Sequence, residues 1–273
     1  MRTKEKFELY KPKKFLGQNF LVDDNIARKI VASLNIDPDD AVIEIGPGRG
    51  ALTKHIAKLT NNFTAVEFDK SVFEELQKEF GDAVNLVRSD FLEYDLESHF
   101  NRSNAGLKII GNIPYNITSK ILFKIFDVFY LVDSVVMMVQ KEVASRLVAV
   151  PRTKDYGILS VQTQVYCKPE VLFHVPPTAF FPKPAVKSSI VRFNFGKDNL
   201  RYKILNEKIF KNLVRNSFGQ RRKMLRNSLN ELFESLKVNF DEIVFDFNRR
   251  PETLSPEEFA VMSNMIYKIA KSD

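Results

Sequence analysis

Short runs of β-branched and apolar residues recur along the chain, at Ala41 to Ile45, Phe63 to Val66, Val84 to Val87, Leu107 to Ile110 and Ser134 to Val139, with helical patterns filling the intervals. Strands separated by helices pair in the same direction, because a parallel pair needs a crossover long enough to carry a helix, and such crossovers are right-handed. An α/β fold follows, with a mostly parallel sheet covered on both faces. Val135-Val136-Met137-Met138-Val139 has no polar face, as a central strand of that sheet requires. After Pro151 the pattern changes: Leu172 to Val175 and Ser189 to Phe195 read as two more strands around the proline-rich segment Pro176 to Pro184, predicting an antiparallel edge or hairpin. Phe195-Gly196-Lys197-Asp198-Asn199 is a compositional break, beyond which everything reads helical. The expected organisation is an N-terminal domain over residues 1–196 and a smaller all-helical domain over 197–273. In the second, Ile209, Phe210, Leu213, Val214 and Phe218 repeat at helical spacing, as do Leu225, Leu229, Leu232 and Leu236. Ser255-Pro256-Glu257-Glu258 is a capping-box helix start.

Open α/β sheets bind ligands beyond the carboxyl ends of their strands, so the residues there carry the functional reading. The first strand runs into Glu44-Ile45-Gly46-Pro47-Gly48-Arg49-Gly50, whose glycines let the main chain turn sharply and let a ligand approach it. Glu67 ends the next strand, where a carboxylate can accept both hydroxyls of a ribose, and Asp90 follows the third, suited to an adenine amino group. This set serves any adenosine-containing cofactor. A dinucleotide dehydrogenase competes, although its Gly-x-Gly-x-x-Gly fingerprint is missed: the third glycine comes one residue early and Pro47 follows the first. A glycine turn with two acids at successive strand ends fits S-adenosylmethionine, which has adenine and ribose but no pyrophosphate. Singly, a strand-end acid is more often solvated or caps a helix, and only the series argues for a pocket.

Asn112-Ile113-Pro114-Tyr115 ends the fourth strand on the same edge. It pairs an amide acceptor with a flat aromatic ring, which together suit an exocyclic amine on a nucleobase. The lone pair of such an amine is delocalised into the base, so it is a poor nucleophile until acceptors hold its hydrogens and aim it. The Asn112 side-chain oxygen and the Pro114 carbonyl would be those acceptors, with Tyr115 stacking on the base. Alone, a string of this kind is more often a strand end running into a turn.

Lys and Arg number 41 against 34 Asp and Glu, and the net charge of +7 favours an anionic partner. Nucleic acid is the better candidate than lipid, since the chain has no Trp and its basic clusters lie in separate segments. No apolar run approaches a membrane span, and the Lys-rich stretch Lys4 to Lys14 has no apolar segment behind it, so a cytoplasmic protein is expected. The dispersed His55, His99 and His174 show no metal-ligand spacing, and the single Cys167 allows no internal disulfide.

With Gly17-Gln18-Asn19-Phe20-Leu21, Glu44 to Thr53, Glu67, Asp90 and Asn112 to Tyr115 in this order, the sequence closely resembles the ribosomal RNA adenine N6-dimethyltransferases. The likeness continues through Gln140 to Leu147, Tyr156 to Val161, Val175 to Phe180 and Gln220 to Leu229, and the last two segments are similar to the small-subunit (16S, KsgA) type. The resemblance implies a Rossmann-like class I S-adenosylmethionine-dependent methyltransferase sheet in the N-terminal catalytic domain and a C-terminal helical RNA-binding domain. It further implies that Asn19 and Leu21 close over the methionine end of the cofactor, with Gly46 and Gly48 in its turn, Glu67 on the ribose and Asp90 on the cofactor adenine. Asn112 would serve both cofactor neighbourhood and target amine, with Tyr115 and Phe180 sandwiching the target base. Lys11, Lys13, Lys14, Arg221, Arg222, Lys223 and Arg226 are assigned to phosphate contacts, against the plainer reading of a solvated helix face.

The activity implied is dimethylation of N6 on two adjacent adenosines in the hairpin loop near the 3' end of 16S rRNA, in the small (30S) ribosomal subunit or its precursor, by a monomer that uses no metal. The chain departs from the family pattern at Ile113, where Leu is common, and at Ala185-Val186-Lys187, where Lys-Val-Asp is usual. A large-subunit (23S) rRNA methyltransferase of the antibiotic-resistance type, a non-catalytic RNA-binding assembly factor and the dehydrogenase stay open as alternatives.

Overall fold

Residues 18–100, 106–196 and 202–271 are described in the computed structural model of the chain. Their strands are β1 (Phe20–Leu21), β2 (Ala41–Ile45), β3 (Phe63–Glu67), β4 (Asn85–Arg88), β5 (Leu107–Asn112), β6 (Val132–Gln140), β7 (Lys168–Val175), β8 (Phe180–Phe181) and β9 (Ser188–Asn194). Seven of them form one sheet in the order β4-β3-β2-β5-β6-β9-β7, and β1 with β8 forms a separate two-stranded ladder. Strands β2 to β6 pair in parallel, so that Ile43 lies beside Thr64 on one side and Ile109 on the other. Each strand expected from the alternation is present, β2 with the expected bounds and the others extended or shifted at their ends by a residue or two. The late strands β7 and β9 are neighbours at the sheet edge, with β9 against β6.

Burial explains the central pairing. Ile109, Ile110, Val135, Val136, Met137 and Val139 are each essentially inaccessible, because the sheet is covered on both faces. Helix Asp24–Ala32 contributes Ala27, Ile30 and Val31 to the core cluster that holds Val42, Ala65, Ile110 and Val136. That helix starts where the Asp23 carboxylate accepts the amides of Asn25 and Ile26, satisfying donors that have no partner inside the helix.

The chain falls into two units, one running through Lys141 and resuming at Val171–Phe193, the other formed by Glu142–Glu170 and the residues from Asn194 onward. The second boundary lies close to the compositional break, but residues 142–170, expected in the N-terminal domain, join the C-terminal helices instead. Tyr156 donates to the Leu254 carbonyl at 2.8 Å, and Tyr166 packs edge-on against Phe210 at 6.2 Å. Helix Ile158–Tyr166 buries Ser160 through Thr163, Val165 and Tyr166, more than one apolar stripe, so it needs helices on several sides.

Helix Glu207–Gly219 and helix Pro256–Ala270 supply much of this second core through Phe210, Leu213, Val214, Phe259, Met262 and Ile266. The latter opens with the expected capping box, Ser255 Oγ accepting the Glu258 amide and Glu258 accepting the Ser255 amide. The leucine repeat from Leu225 to Leu236 is two helices, Leu225–Ser228 and Asn230–Leu236. The amides of Leu225 and Arg226 donate to the carbonyls of Arg249 and Phe247, which holds the first short turn to another segment. Among the described residues no helix is long and apolar enough to cross a membrane.

Candidate active site

From β2 the chain steps outward to β3 and β4 and then returns to place β5 on the other side of β2. Connections leave the carboxyl ends of β2 and β5 in opposite directions and open a crevice between them. A cleft of ≈ 260 Å³ lies there, lined by residues that follow β2, β3, β4 and β5 and by Gln18 to Leu21.

The glycine turn after β2 is held in the left-handed region, with φ of 62° at Gly46 and 55° at Gly48. A Cβ on Gly48 would lie 3.2 Å from the Phe20 ring, whereas one on Gly46 would meet nothing within 4 Å and project into open space. The Arg49 guanidinium lies 5.0 Å from the same Phe20 ring. Glu67 ties the turn to β3: its Oε2 accepts the Gly48 amide at 3.2 Å and its Oε1 the Asp69 amide at 2.8 Å. Burial raises the Glu67 pKa, partly offset by these amides. Glu44 is only 1% exposed, and burial pushes its pKa up to about 8 although Thr53 Oγ1 donates to it at 2.7 Å. Asp90 Oδ1 accepts the Leu92 amide at 2.9 Å, which fixes the carboxyl at the mouth of β4.

Phe68 and Phe91 also line this cleft, and Phe68 is 59% exposed, unusual for a free phenylalanine. The sequence reading missed both, yet a signal was present: an aromatic directly follows each strand-end acid, in Glu67-Phe68 and Asp90-Phe91. A flat ring beside an acceptor suits the face and edge of a purine.

At the end of β5, the Asn112 Nδ2 donates to the Asn19 carbonyl at 3.2 Å. The opposite amide orientation would set oxygen against oxygen, so the contact fixes Oδ1 as the free acceptor. The Pro114 carbonyl accepts the Ile117 amide at 3.3 Å and keeps a second lone pair. The Tyr115 hydroxyl lies 2.5 Å from Ser188 Oγ, and burial raises its pKa, so the ring carries a neutral phenol. Thus Asn19, Leu21, Gly46, Gly48, Glu67, Asp90, Asn112, Pro114 and Tyr115, expected at one site from separate motifs, line one cleft.

Phe180 does not join them. It is 2% exposed and belongs to the core cluster, with Leu21 as its partner in the β1–β8 ladder, while Phe181 is 42% exposed. Alternation along a strand puts one ring in and the next out, and here Phe180 is the inward one. The ring expected against the target base is thus packed behind the cleft in this structure, beside Leu21.

Of the basic residues, Lys11, Lys13 and Lys14 lie outside the described residues. Arg221 donates to the carbonyls of Thr153 and Lys154 at 2.9 and 2.7 Å, and Arg226 pairs with Asp241 at 3.2 Å. Arg222 and Lys223 are exposed. Among the described residues no group of three or more His, Cys, Asp or Glu could hold a metal ion.

The donor set fits an adenosine-bearing cofactor, since the cleft offers carboxylates at two strand ends, flat rings beside them and an unfilled turn at Gly46. Comparison with known proteins agrees. The chain is 42% identical over 260 residues to the ribosomal RNA small subunit methyltransferase A of Francisella tularensis subsp. novicida (strain U112), covering 94% of this chain and 98% of that one. Among solved structures it is similar to a dimethyladenosine transferase from Plasmodium falciparum, with a TM-score of 0.77 at 23% identity, covering 92% of this chain and 98% of that one. The 23S rRNA methyltransferase ErmE superposes with a TM-score of 0.64 at 23% identity, covering 91% of this chain and 100% of that one. These two establish the Rossmann-like class I methyltransferase fold. A family model described as ribosomal RNA adenine dimethylase matches residues 10–268, nearly the whole length, and the chain belongs to that family.

Proposed function

We propose that this protein dimethylates N6 of two adjacent adenosines in the hairpin loop near the 3' end of 16S rRNA, in the small ribosomal subunit or its precursor. Family membership makes it an S-adenosylmethionine-dependent rRNA adenine dimethyltransferase. One observation carries the reading: the Asn112 to Tyr115 tip lines the same cleft as Glu67, Asp90 and the glycine turn. The small-subunit assignment, over a large-subunit one, is supported by the name of the relative at 42% identity.

When bound, S-adenosylmethionine supplies the methyl, on a sulfonium sulfur that keeps the electron pair of the broken C–S bond. Glu67 accepts the ribose hydroxyls, Asp90 the adenine amine, and Asn19 with Leu21 bounds the methionine end. Asn112 Oδ1 and the Pro114 carbonyl take the two hydrogens of the target amine, turning its lone pair out of conjugation. Tyr115 supports the base by stacking. The amine's pair forms the new N–C bond and its surplus proton passes to water, so no histidine is needed. Placement is the main contribution, worth roughly 7–11 kcal/mol in favourable intramolecular cases. Loop adenosines are already partly unstacked, which lowers the cost of extruding one into the cleft.

Arg222 and Lys223 serve as phosphate contacts in this reading, together with Lys13 and Lys14, and Arg221 and Arg226 hold the surface that presents them. The protein acts as a cytoplasmic monomer without a metal. Labelled-methyl transfer to unmethylated small subunits, naked 16S rRNA and 23S rRNA in parallel tests the assignment. Label is expected as dimethyladenosine in the small-subunit samples, and label confined to 23S rRNA would overturn it.

A further inference from the structure

We infer that Ser188 is a positioning residue for methyl transfer, acting through Tyr115, and that it matters more for the second methyl on each adenosine than for the first. The inference rests on the proposed function and deepens it. Tyr115 and Ser188 are 73 positions apart, with their hydroxyls 2.5 Å from each other. Ser188 is fully buried at the first position of β9, inside the sheet order next to β6. The carbonyl of its neighbour Lys187 accepts the amide of Lys141, just beyond the end of β6, at 2.9 Å. The Ser188 hydroxyl is thus placed by the sheet, and the Tyr115 ring is held at both its Cα and its phenol oxygen. A ring held only at Cα can swing about its first side-chain torsion and tilt; one held at both ends cannot.

The chemistry makes that restraint unequal between the two transfers. An unmodified adenine amine offers two hydrogens, and Asn112 Oδ1 with the Pro114 carbonyl can hold both. The first transfer replaces one hydrogen: the nitrogen pair forms the N–C bond, the C–S bond breaks with its pair on sulfur, and one proton leaves to water. One acceptor then has no partner on the amine, and the added methyl must share the space. Alignment of the second transfer, which removes the last N–H by the same exchange, falls more heavily on the ring under the base.

The test is a time course on unmethylated small subunits in which N6-methyladenosine and N6,N6-dimethyladenosine are separated and counted, for the wild type, Ser188→Ala, Tyr115→Phe and the double variant. Losing one neutral hydrogen bond should slow the second transfer by roughly 5- to 10-fold relative to the first, so that monomethyl product accumulates in both single variants. The double variant should show no larger shift than the single ones, because both remove the same bond. S-adenosylmethionine binding by titration should stay within about 2-fold of wild type, a change below ~0.4 kcal/mol. A wild-type product ratio in Ser188→Ala, or shifts that multiply in the double variant, would overturn the inference, the latter by showing that Ser188 acts on packing alone. Should Ser188→Ala fold poorly, a wild-type ratio in Tyr115→Phe would overturn it equally. A wild-type protein that leaves small subunits unmethylated would instead bring down the proposed function, and this inference with it.

Discussion

The Asn112 side-chain amide donates to the Asn19 main-chain carbonyl at 3.2 Å, tying the tip after β5 to the segment that borders the cofactor cleft. The bond turns the Asn112 oxygen toward the cleft. Asn112→Ala should therefore lower turnover by on the order of 100-fold or more, by analogy with removal of a positioned polar group at a reacting centre. Cofactor affinity, measured by titration, should fall far less, because the contacts proposed for Glu67 and Asp90 remain. Near-normal turnover would refute the role. Asn112→Asp should weaken the cofactor more than Asn112→Ala does, since a carboxylate would face the Asn19 carbonyl with no donor between them.

Gly48 and Gly46 should respond differently to alanine. Both positions carry positive φ, which costs a residue with a Cβ about 1–2 kcal/mol. Only at Gly48 does the new Cβ also press on the Phe20 ring, at 3.2 Å. Gly48→Ala should then show the larger fall in melting temperature by calorimetry, and the reverse order would contradict the packing described here.

What the sequence made legible is what periodicity and parallel topology dictate. Strands β2, β3, β5 and β6 are largely buried on both faces while β4, at the sheet edge, is partly exposed, and parallel pairing alone brings Glu67, Asp90 and Asn112 to a common edge. Features that depend on contacts between distant segments left no such trace. The β1–β8 ladder, the bond from Tyr115 to Ser188 and the grouping of residues 142–170 with the C-terminal helices are of this kind. The inward setting of Phe180 was illegible for a related reason: whether a ring points in or out depends on strand phase, and two adjacent phenylalanines give no clue to it.

Glu44 predicts a pH effect on stability. Its folded pKa is raised from 4.5 to about 8 by burial, so the folded state binds the proton more tightly than the unfolded chain does. The stabilising contribution is full below pH 4.5, declines as pH rises and is lost above about pH 8. Glu44→Gln keeps an acceptor for the Thr53 hydroxyl and removes the charge. Relative to wild type it should gain stability across that window, on the order of a few kcal/mol by its upper end. Identical pH slopes for the two proteins in chemical denaturation would reject this account.

The basic residues of the second unit should separate into two behaviours. Replacing Arg222 and Lys223 together by Ala should reduce the slope of log affinity against log salt for RNA by about 1.4–1.8, two lost phosphate contacts. Arg221→Ala should act mainly on thermal stability, because its guanidinium clamps the carbonyls of Thr153 and Lys154. An unchanged salt slope in the double variant would remove those two residues from the RNA surface.

The pairing of Phe20 with Phe181 and Leu21 with Phe180 imposes a parity rule on this corner of the molecule. Consecutive side chains on a strand face opposite ways, so sliding by a single residue would exchange the two rings, and no intermediate setting keeps the hydrogen bonds. Bringing Phe180 outward means drawing Phe181 inward or parting the strands. Asn19, next to β1, would be carried along in either event, and the grip on Asn112 would register the same discrete step.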